Sequence, residues 1–367
     1  MTKERTKLCP SMEDVGEKKF ISDLLPNLGV HQNFLNGFGD DASAVRLPDG
    51  TVLVFKIDRA AGPTAANRGW TDYRMWGRLA VTSNCSDILA GGGLPAAMMI
   101  ALILPRSWSA AQAEEVIYGC AEECSSHDVA FVGGDTKEGS SPELVGSAVG
   151  VAPSGSFLTR KHAKPGDLIV LAGSLGGFLG SYLQILANLN DSGIPVHKRA
   201  DDWLDYISHP RARWTEGRAI IGSGVATSAM DTSDGLYDAI STLTRDLGAE
   251  ILLDELPYHS NAFECREALG TQLLNLGLGV GDWNIVYTVD AAKWERWWPT
   301  QDQTELNFTV IGQVKDSGGL EWIDRGGRKY RCTPIVNQHF KARFEDESTL
   351  IERLRMEDML MPIEAGK

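Results

Sequence analysis

Apolar and polar residues alternate along this chain in patterns that predict strands and helices in both halves. An apolar run over 51–58 predicts a strand that ends on Asp58. Residues 73–90 show helical spacing, which places Ser83 and Asp87 on one face, and this helix stops at a Gly-Gly-Gly-Leu-Pro segment. The other elements expected before residue 153 are a helix over 13–25, a strand over 96–104, a helix over 109–127 with Ser109 as its N-cap, and strands over 129–132 and 144–151.

The second half mixes helices and strands in the same way, after a Pro-Ser-Gly boundary at 153–155. The expected elements are strands over 168–172, 226–231, 285–289 and 308–312, helices over 214–221 and 236–247, and an irregular insertion over 189–210. We therefore expect a polar leader (1–12), an N-terminal domain (13–152), a C-terminal α+β domain (153–343) and an acidic helical tail (344–367). The predicted fold class is α+β, or mixed α/β, in two domains.

Composition and charge narrow the function classes. The 367 residues are 43% hydrophobic, which is enough for two cores of ordinary size. The formal net charge of −14 disfavours binding to nucleic acid and to anionic membranes. The six cysteines are scattered without a C-x-x-C pair, and no apolar run reaches membrane-spanning length. We expect a soluble cytoplasmic protein without nucleic-acid or membrane partners.

Short aspartate-centred motifs lie at predicted strand ends or on helix faces. Aspartate is a poor former of helices and strands, so an aspartate in such a place is usually a cap, a turn or a ligand. A turn or a cap explains any one of them, but the whole set, with small neighbours that let a phosphate approach, favours a site for Mg²⁺ and ATP. The set is Asp40, Asp58, Asp87, Asp135, Asp231 and Asp234.

The motifs of several familiar nucleotide and zinc sites do not occur in the sequence. It contains no G-x-x-x-x-G-K-[ST] loop, no H-E-x-x-H and no protein-kinase catalytic loop. Glycines at 173, 176, 177 and 180 follow a predicted strand, but their spacing departs from the dinucleotide-binding fingerprint. They favour a close backbone approach at a helix start, or a contact with phosphate.

The motifs, taken in this order and spacing, resemble the superfamily of thiamine-monophosphate kinase and aminoimidazole ribonucleotide synthetase. The resemblance covers residues 13–342. It is carried by Gly37-Phe38-Gly39-Asp40-Asp41-Ala42, Asn84-Cys85-Ser86-Asp87-Ile88, Gly133-Gly134-Asp135-Thr136, Leu158-Thr159-Arg160 with Pro165-Gly166-Asp167, and Met230-Asp231-Thr232-Ser233-Asp234-Gly235-Leu236. Ile311-Gly312-Gln313-Val314 and His339-Phe340 are similar to the kinase branch.

The resemblance implies a two-domain architecture and a homodimer whose N-terminal domains pair. It also implies that ATP and several Mg²⁺ ions bind in a cleft built from both domains. By motif position, the six aspartates above would be metal ligands, and four of them would be the catalytic residues: Asp40, Asp87, Asp135 and Asp234. The nucleotide contacts would be Gly134, Asp135, Arg160 and Ser233.

The chain departs from the family pattern where the family contacts its acceptor. Lys56-Ile57-Asp58 replaces Ser/Thr-Thr-Asp, and the position of a substrate-contacting His falls near Ala65. The family's Gly-Glu-Asp-Tyr-Glu reads Val280-Gly281-Asp282-Trp283-Asn284, with Asn284 in place of the second Glu, and the aromatic residue before Asp-His-Phe has become Asn337. Loss of a carboxylate and of a stacking face disfavours a cationic thiazolium, whereas Lys56 and Arg59 favour an anionic acceptor. The candidate substrate contacts are Lys56, Arg59, Asp282, Asn284 and Asn337.

The sequence therefore predicts an ATP- and Mg²⁺-dependent phosphotransferase that resembles thiamine-monophosphate kinase. It would phosphorylate a small phosphorylated, heterocyclic or nucleoside-like metabolite, other than thiamine monophosphate, by direct in-line transfer. One alternative is an ATP-dependent synthetase, in which phosphate activates an amide oxygen and is then released. A second alternative is a nucleotide-binding homologue without turnover.

Overall fold

The chain folds around two β-sheets, one in each half of the sequence. The computed structural model describes residues 11–153, 155–333, 352–355 and 358–363. Residues within 43–152 form the first sheet, residues within 168–332 together with 360–362 form the second, and helices accompany both, so the α+β class is confirmed. Among the described residues, no helix is long and apolar enough to cross a membrane.

The N-terminal sheet has five strands in the order β1-β2-β5-β3-β4. Its strands pair antiparallel, except that β3 and β4 are parallel. In β2, Val52 and Val54 are buried while Phe55 and Ile57 are exposed, so Lys56 and Asp58 lie on the inner face with the valines. The strands are β1 (Ser43–Arg46), β2 (Val52–Arg59), β3 (Leu94–Leu104), β4 (Ala130–Glu138) and β5 (Glu143–Ala152).

One long helix covers the inner face of this sheet. It is α4 (Arg74–Ala90), and 14 of its 17 residues are buried, because it also packs against the C-terminal sheet. Its Ile88 and Leu89 share one hydrophobic cluster with Ile285 and Tyr287 of the second domain. The other helices of this half are α1 (Met12–Val15), α2 (Glu17–Leu24), α3 (Thr64–Asn67) and α5 (Ala110–Ser126), with a 3-10 turn at Leu25–Asn27.

Among the residues that the structure describes, the C-terminal sheet has eight strands in the order β13-β12-β11-β8-β10-β6-β9-β7. All described pairs are antiparallel except β8 with β11. Strand β9 is buried along its whole length, since it lies within the sheet and also packs toward α4. The strands are β6 (Leu168–Ala172), β7 (Ala226–Asp231), β8 (Gly248–Leu252), β9 (Ile285–Val289), β10 (Phe308–Lys315), β11 (Gly319–Ile323), β12 (Lys329–Cys332) and β13 (Leu360–Pro362).

The helices of this half surround that sheet. Helices α10 (Ser260–Leu269), α11 (Leu273–Gly277) and α12 (Ala291–Trp297) were not predicted, and the insertion over 189–210, expected to be irregular, contains α7 (Ala200–Ser208) with Trp203 and Ile207 buried. The expectation of an irregular segment is therefore wrong for that part. The helices are α6 (Gly177–Ala187), α7 (Ala200–Ser208), α8 (Trp214–Ile220), α9 (Leu236–Leu243), α10 (Ser260–Leu269), α11 (Leu273–Gly277) and α12 (Ala291–Trp297), with 3-10 turns at Leu253–Glu255 and Trp298–Thr300.

Two sequence motifs lie elsewhere than expected. The Gly-Gly-Asp-Thr segment was placed after a short strand, yet it lies inside β4, next to a register irregularity opposite Met98 and Ile100. The described part of the tail is helical over 352–355, where Leu354 is buried, and then adds β13 to the edge of the C-terminal sheet. The tail thus packs on the body of the protein. The predicted domain limits stay predictions.

The cysteines that the structure describes are free and buried. Ser109 caps α5 through a reciprocal pair of hydrogen bonds with Gln112, as its position before the helix predicts. Burial raises the pKa of Cys124 to about 12, so this thiol stays protonated. Cys9 lies outside the described residues. Free thiols are typical of cysteines scattered in this way, and the cytoplasmic location stays a prediction.

Candidate active site

Three buried carboxylates meet where the two domains join. Asp41 precedes β1, Asp87 lies in the last turn of α4, and Asp231 ends β7. Each offers an oxygen atom, and these oxygen atoms lie within 4.8 Å of one another. Burial of three acidic groups together costs free energy unless cations compensate the charge. The arrangement therefore indicates a cation site.

Asp87 is held where neither its surroundings nor its helix favours a negative charge. Its side chain is 3% exposed, and the C-terminal end of α4 carries the negative end of the helix dipole. Burial raises the pKa of Asp87 well above its usual value, nearby Asp231 raises it further, and Lys56 opposes this effect. Lys56 offsets only part of this cost, and a metal cation bound at Asp87 would offset the rest.

Lys56 reaches this cluster from the inner face of β2. Its Nζ atom lies 2.7 Å from Oδ2 of Asp87, and its side chain is 21% exposed. Burial lowers the pKa of Lys56, but the carboxylates of Asp87, Asp58 and Asp231 raise it more, so the net direction is upward. The side chain is therefore an ammonium ion in the folded chain.

Asp231 presents one bonded and one unbonded oxygen. Its Oδ1 accepts hydrogen bonds from the backbone amide of Ser233 at 3.2 Å and from the Ser233 hydroxyl at 2.8 Å. Its Oδ2 is buried and has no hydrogen-bond partner, and the same is true of Oδ2 of Asp41. Hard carboxylate oxygens are the ligands that Mg²⁺ prefers. The donor set therefore fits magnesium, with Asp41, Asp87 and Asp231 as the residues that would hold it.

Arg160 ties the loop before β1 to the segment that enters the second domain. Its guanidinium group is ion-paired with Asp41, and its backbone amide donates to Oδ1 of Asp40 at 2.9 Å. Burial lowers the pKa of Arg160, while Asp231 and Asp40 oppose this effect. The Nε atom of Arg160 is buried without a partner, so it can still donate to a phosphate.

The structure brings Asp41 into the cluster, where the sequence predicted Asp40. Both oxygens of Asp40 are already bonded, because Oδ2 accepts from the side chain of Asn36 at 3.0 Å and Oδ1 accepts from Arg160. Asp41 was passed over as a ligand, although it is the second residue of the same Asp-Asp pair. The doubled aspartate was the signal for it, since adjacent residues of a turn point in different directions.

Two other predicted ligands lie around the cluster. Asp58 follows Lys56 on the same face of β2, and burial raises its pKa while Lys56 lowers it. Asp234 is exposed in the turn before α9, near enough to Arg160 to influence its charge. Both stay predicted ligands.

Asp135 lies on the other face of the N-terminal sheet. The pairing runs from Asp135 to Ala101, from Ala101 to Val145 and from Val145 to Arg59, and residues paired across strands share a face. Because Lys56 and Arg59 are three residues apart, they point to opposite faces. Asp135 is 64% exposed and lies 3.5 Å from the ammonium of Lys137. A single chain therefore does not bring Asp135 to Asp87, and its role as a ligand stays a prediction.

Gly134 has a structural reason to be glycine. A Cβ atom there would overlap the backbone carbonyl of Ile100 on the neighbouring strand. The predicted nucleotide contact of Gly134 is thus not needed to explain its identity.

The residues predicted to contact substrate lie in two regions. Lys56 is at the carboxylate cluster, while Arg59 is exposed on the outer face of β2. Asp282 is buried, and its carboxylate accepts hydrogen bonds from the amides of Gly176 and Phe178, each at 2.7 Å. These amides lie at the start of α6. The carboxylate of Asp282 therefore occupies the place that the glycine-rich segment would offer to a phosphate.

Asn284 follows in the same loop and is fully buried. Its amide nitrogen donates to the carbonyl of Ser174 at 2.7 Å, and its Oδ1 has no hydrogen-bond partner. Between Asp282 and Asn284, Trp283 has a positive φ of 49°, a conformation that is strained for an aromatic residue. Asn337 lies outside the described residues.

Comparison with known proteins identifies the family of the chain. Residues 39–152 match the family described as AIR synthase related protein, N-terminal domain. Thiamine-monophosphate kinase of Pyrococcus horikoshii is 30% identical over 310 residues, which cover 84% of this chain and 92% of that protein. The enzyme of Escherichia coli K12 is 31% identical over 301 residues, covering 79% and 87%. A solved structure of AaThiL complexed with AMPPCP and TMP has a TM-score of 0.76 at 23% identity, covering 91% of this chain and 100% of that one.

The matched N-terminal segment carries Asp41, Lys56 and Asp87, and it defines the class as AIR synthase-related. The chain belongs to the thiamine-monophosphate kinase family, since relatives at 30% identity or more cover most of its length. It is accordingly an ATP-dependent kinase, and the prediction of ATP and Mg²⁺ as cofactors is confirmed at the level of the family.

Proposed function

We propose that this chain transfers the γ-phosphoryl group of ATP, in one direct in-line step, to a small phosphorylated metabolite other than thiamine monophosphate. The observation that carries the proposal is the cluster of Asp41, Asp87 and Asp231, in which two buried oxygens have no partner. Magnesium bound there would neutralise charge on the triphosphate during transfer.

The side chains around the cluster support positioning rather than covalent catalysis. Ser233 fixes the orientation of Asp231, and Arg160 offers a buried donor toward a phosphate. Phosphoryl transfer needs alignment and charge stabilisation more than it needs a nucleophile. Direct transfer without a phosphorylated enzyme therefore fits these residues.

The acceptor is argued from charge. Asn284 is neutral where the family motif carries glutamate, and its side chain is bonded to Ser174, so this position offers no negative charge to a cationic ring. A cavity of about 400 Å³ is lined by Asp41 and Lys56 and, from the outer face of the sheet, by Ser43, Phe55, Ile57 and Ser147. This volume suits a small molecule, and the positive charge of Lys56 favours an anionic one.

The test identifies every product that carries a phosphate group. Purified protein is incubated with Mg²⁺, ATP and either thiamine monophosphate or a panel of phosphorylated metabolites, and products are identified by mass spectrometry. We expect ADP and a panel member heavier by one phosphoryl group, with thiamine monophosphate unchanged. The Asp87→Asn variant should lose this activity, whereas the exposed Asp246→Asn, with the same charge change, should keep it.

The other outcomes discriminate between the alternatives. Formation of thiamine diphosphate would refute the changed acceptor and leave the kinase assignment intact. ADP with free phosphate and a dehydrated or aminated product would identify a synthetase, and binding of ATP without turnover would identify a silent homologue.

A homodimer is also part of the proposal. Phe55, Ile57 and Met99 lie on the outer face of the N-terminal sheet and are 41%, 68% and 51% exposed, and Val132 on the edge strand is 57% exposed. An apolar sheet face of this kind favours burial against a second copy. Light scattering should give twice the chain mass, and Met99→Asp should give the monomer, whereas Ile194→Asp, at an equally exposed residue of the second domain, should not. A monomeric wild type would contradict the proposal.

A further inference from the structure

We infer that the ammonium group of Lys56 takes the place of one divalent cation, so that this chain binds one fewer magnesium ion with ATP than the same site would bind with a neutral residue at position 56. The inference deepens the proposed function, because it rests on the magnesium-ATP site described above. It concerns the charge of that site and not the identity of the acceptor.

The position of Lys56 is set by the sheet. Strand β2 pairs with β1 on one side and with β5 on the other, and this double pairing directs Lys56 inward toward α4. Lysine is seldom buried unless it is paired. Here its ammonium group lies 2.7 Å from Oδ2 of Asp87, inside a cluster that also contains Asp41 and Asp231.

An ammonium ion and a divalent ion compete for the same oxygen. Magnesium binds carboxylate oxygens at about 2.0–2.1 Å, so an ion on Oδ2 of Asp87 would occupy the space next to the Lys56 ammonium and repel it. The buried Oδ2 atoms of Asp41 and Asp231 have no such competitor and no hydrogen-bond partner. In the cluster, Lys56 therefore neutralises Oδ2 of Asp87, while the Oδ2 atoms of Asp41 and Asp231 remain available to metal.

The test counts metal ions rather than turnover. Mn²⁺ is titrated into the full chain in the presence of AMPPCP, and free Mn²⁺ is followed by electron paramagnetic resonance. Lys56→Met keeps the side chain as far as Cε but removes its ammonium group, and we expect this variant to bind one more Mn²⁺ per chain than the wild type. Lys56→Arg keeps the charge and should bind the same number as the wild type.

A matched control separates local charge from net charge. Lys19→Met also removes one positive charge, but from an exposed ion pair with Asp23 on α2. It should leave the Mn²⁺ count unchanged. Equal counts for wild type and Lys56→Met would overturn the inference while leaving the kinase proposal intact. If neither protein bound Mn²⁺ with AMPPCP, the magnesium-ATP site itself would be wrong.

A measurement on the wild type covers the case in which Lys56→Met does not fold. A crystal of the wild type grown with Mn²⁺ and AMPPCP locates the ions by anomalous scattering. The expected result is that Lys56 remains on Oδ2 of Asp87 and that every Mn²⁺ ion is bound through other oxygens. An ion bound to Oδ2 of Asp87, with Lys56 displaced, would overturn the inference without any variant.

Discussion

Asp231→Asn should stabilise the metal-free chain and weaken its binding of metal and nucleotide. Asparagine has the shape of aspartate but no charge, and it keeps an oxygen that can accept the two hydrogen bonds from Ser233. The substitution therefore removes a buried negative charge without removing a packing contact. A substitution that raises stability but weakens binding identifies a residue that is retained for function.

The magnitude follows from the cluster geometry. Two unit charges separated by 4.8 Å, the largest distance between the three oxygens, repel by about 3.5 kcal/mol at an effective dielectric constant of about 20. Lys56 and Arg160 each contact one of the other two carboxylates, so they offset most of this repulsion. We expect a net gain of about 1 to 2 kcal/mol for the metal-free protein.

The assay is thermal unfolding in EDTA, followed by titration with Mg²⁺ and AMPPCP. Each kcal/mol corresponds to about 2–4 °C in a domain of roughly 150–250 residues, so the midpoint in EDTA should rise by several degrees. Affinity for the Mg²⁺ complex should fall at least tenfold, or about 1.4 kcal/mol. Asp246→Asn is the control for the charge change. A lower midpoint in EDTA, or unchanged affinity, would refute the cation-site argument.

Two further substitutions test the fold around the site. Gly92→Ala should destabilise the chain by roughly 3 kcal/mol in urea unfolding, because φ is +73° and a Cβ atom would overlap the carbonyl of Ser156. Gly193 is the control, since its φ is +78° but the space around it is open, and alanine there should cost only about 1 kcal/mol. Equal losses of stability at the two positions would contradict the overlap argument. His259 accepts a hydrogen bond from the amide of Asn261 at the start of α10, and burial followed by nearby arginines lowers its pKa below the usual 6.5. Its contribution should therefore be complete above pH 6.5 and lost as pH falls through the lower folded pKa, and His259→Asn, which keeps a cap, should flatten the urea stability profile in that range. An unchanged profile would show that another group titrates.

Strands bounded by strong signals were predictable from the sequence. The runs of β6 and β9 are largely apolar, β7 ends on Met230-Asp231, and the observed limits of all three strands match the predicted ones. The same reasoning ends β4 too early, at residue 132, directly before two glycines. The strand continues because Gly134 lets its backbone approach Ile100 closely. That reason lies in the neighbouring strand and cannot be found in a local pattern.

The face on which Asp135 lies could not be predicted for a related reason. Side chains alternate with period two, so a single irregularity reverses the face of every later residue. Pairing of β3 with β4 shifts between Met98 and Ile100, and pairing of β3 with β5 shifts between Pro95 and Ala97. The order of the motifs along the sequence predicts that all the aspartates share one site. Only the register of β3 with β4 and β5 shows that Asp135 lies on the face away from the buried cluster.

The contact of Lys56 with Asp87 explains why the cluster can exist before any metal binds. Helix α4 packs between two sheets, and this burial removes Asp87 from the water that would otherwise stabilise its charge. The same dry surroundings strengthen any metal bond made there. A chain that folds before it meets magnesium must therefore carry compensating charge of its own, and Lys56 and Arg160 provide it from β2 and from the interdomain segment. Folding and metal binding thus place opposite demands on the same carboxylates, and the positively charged residue at position 56 sets the balance between them.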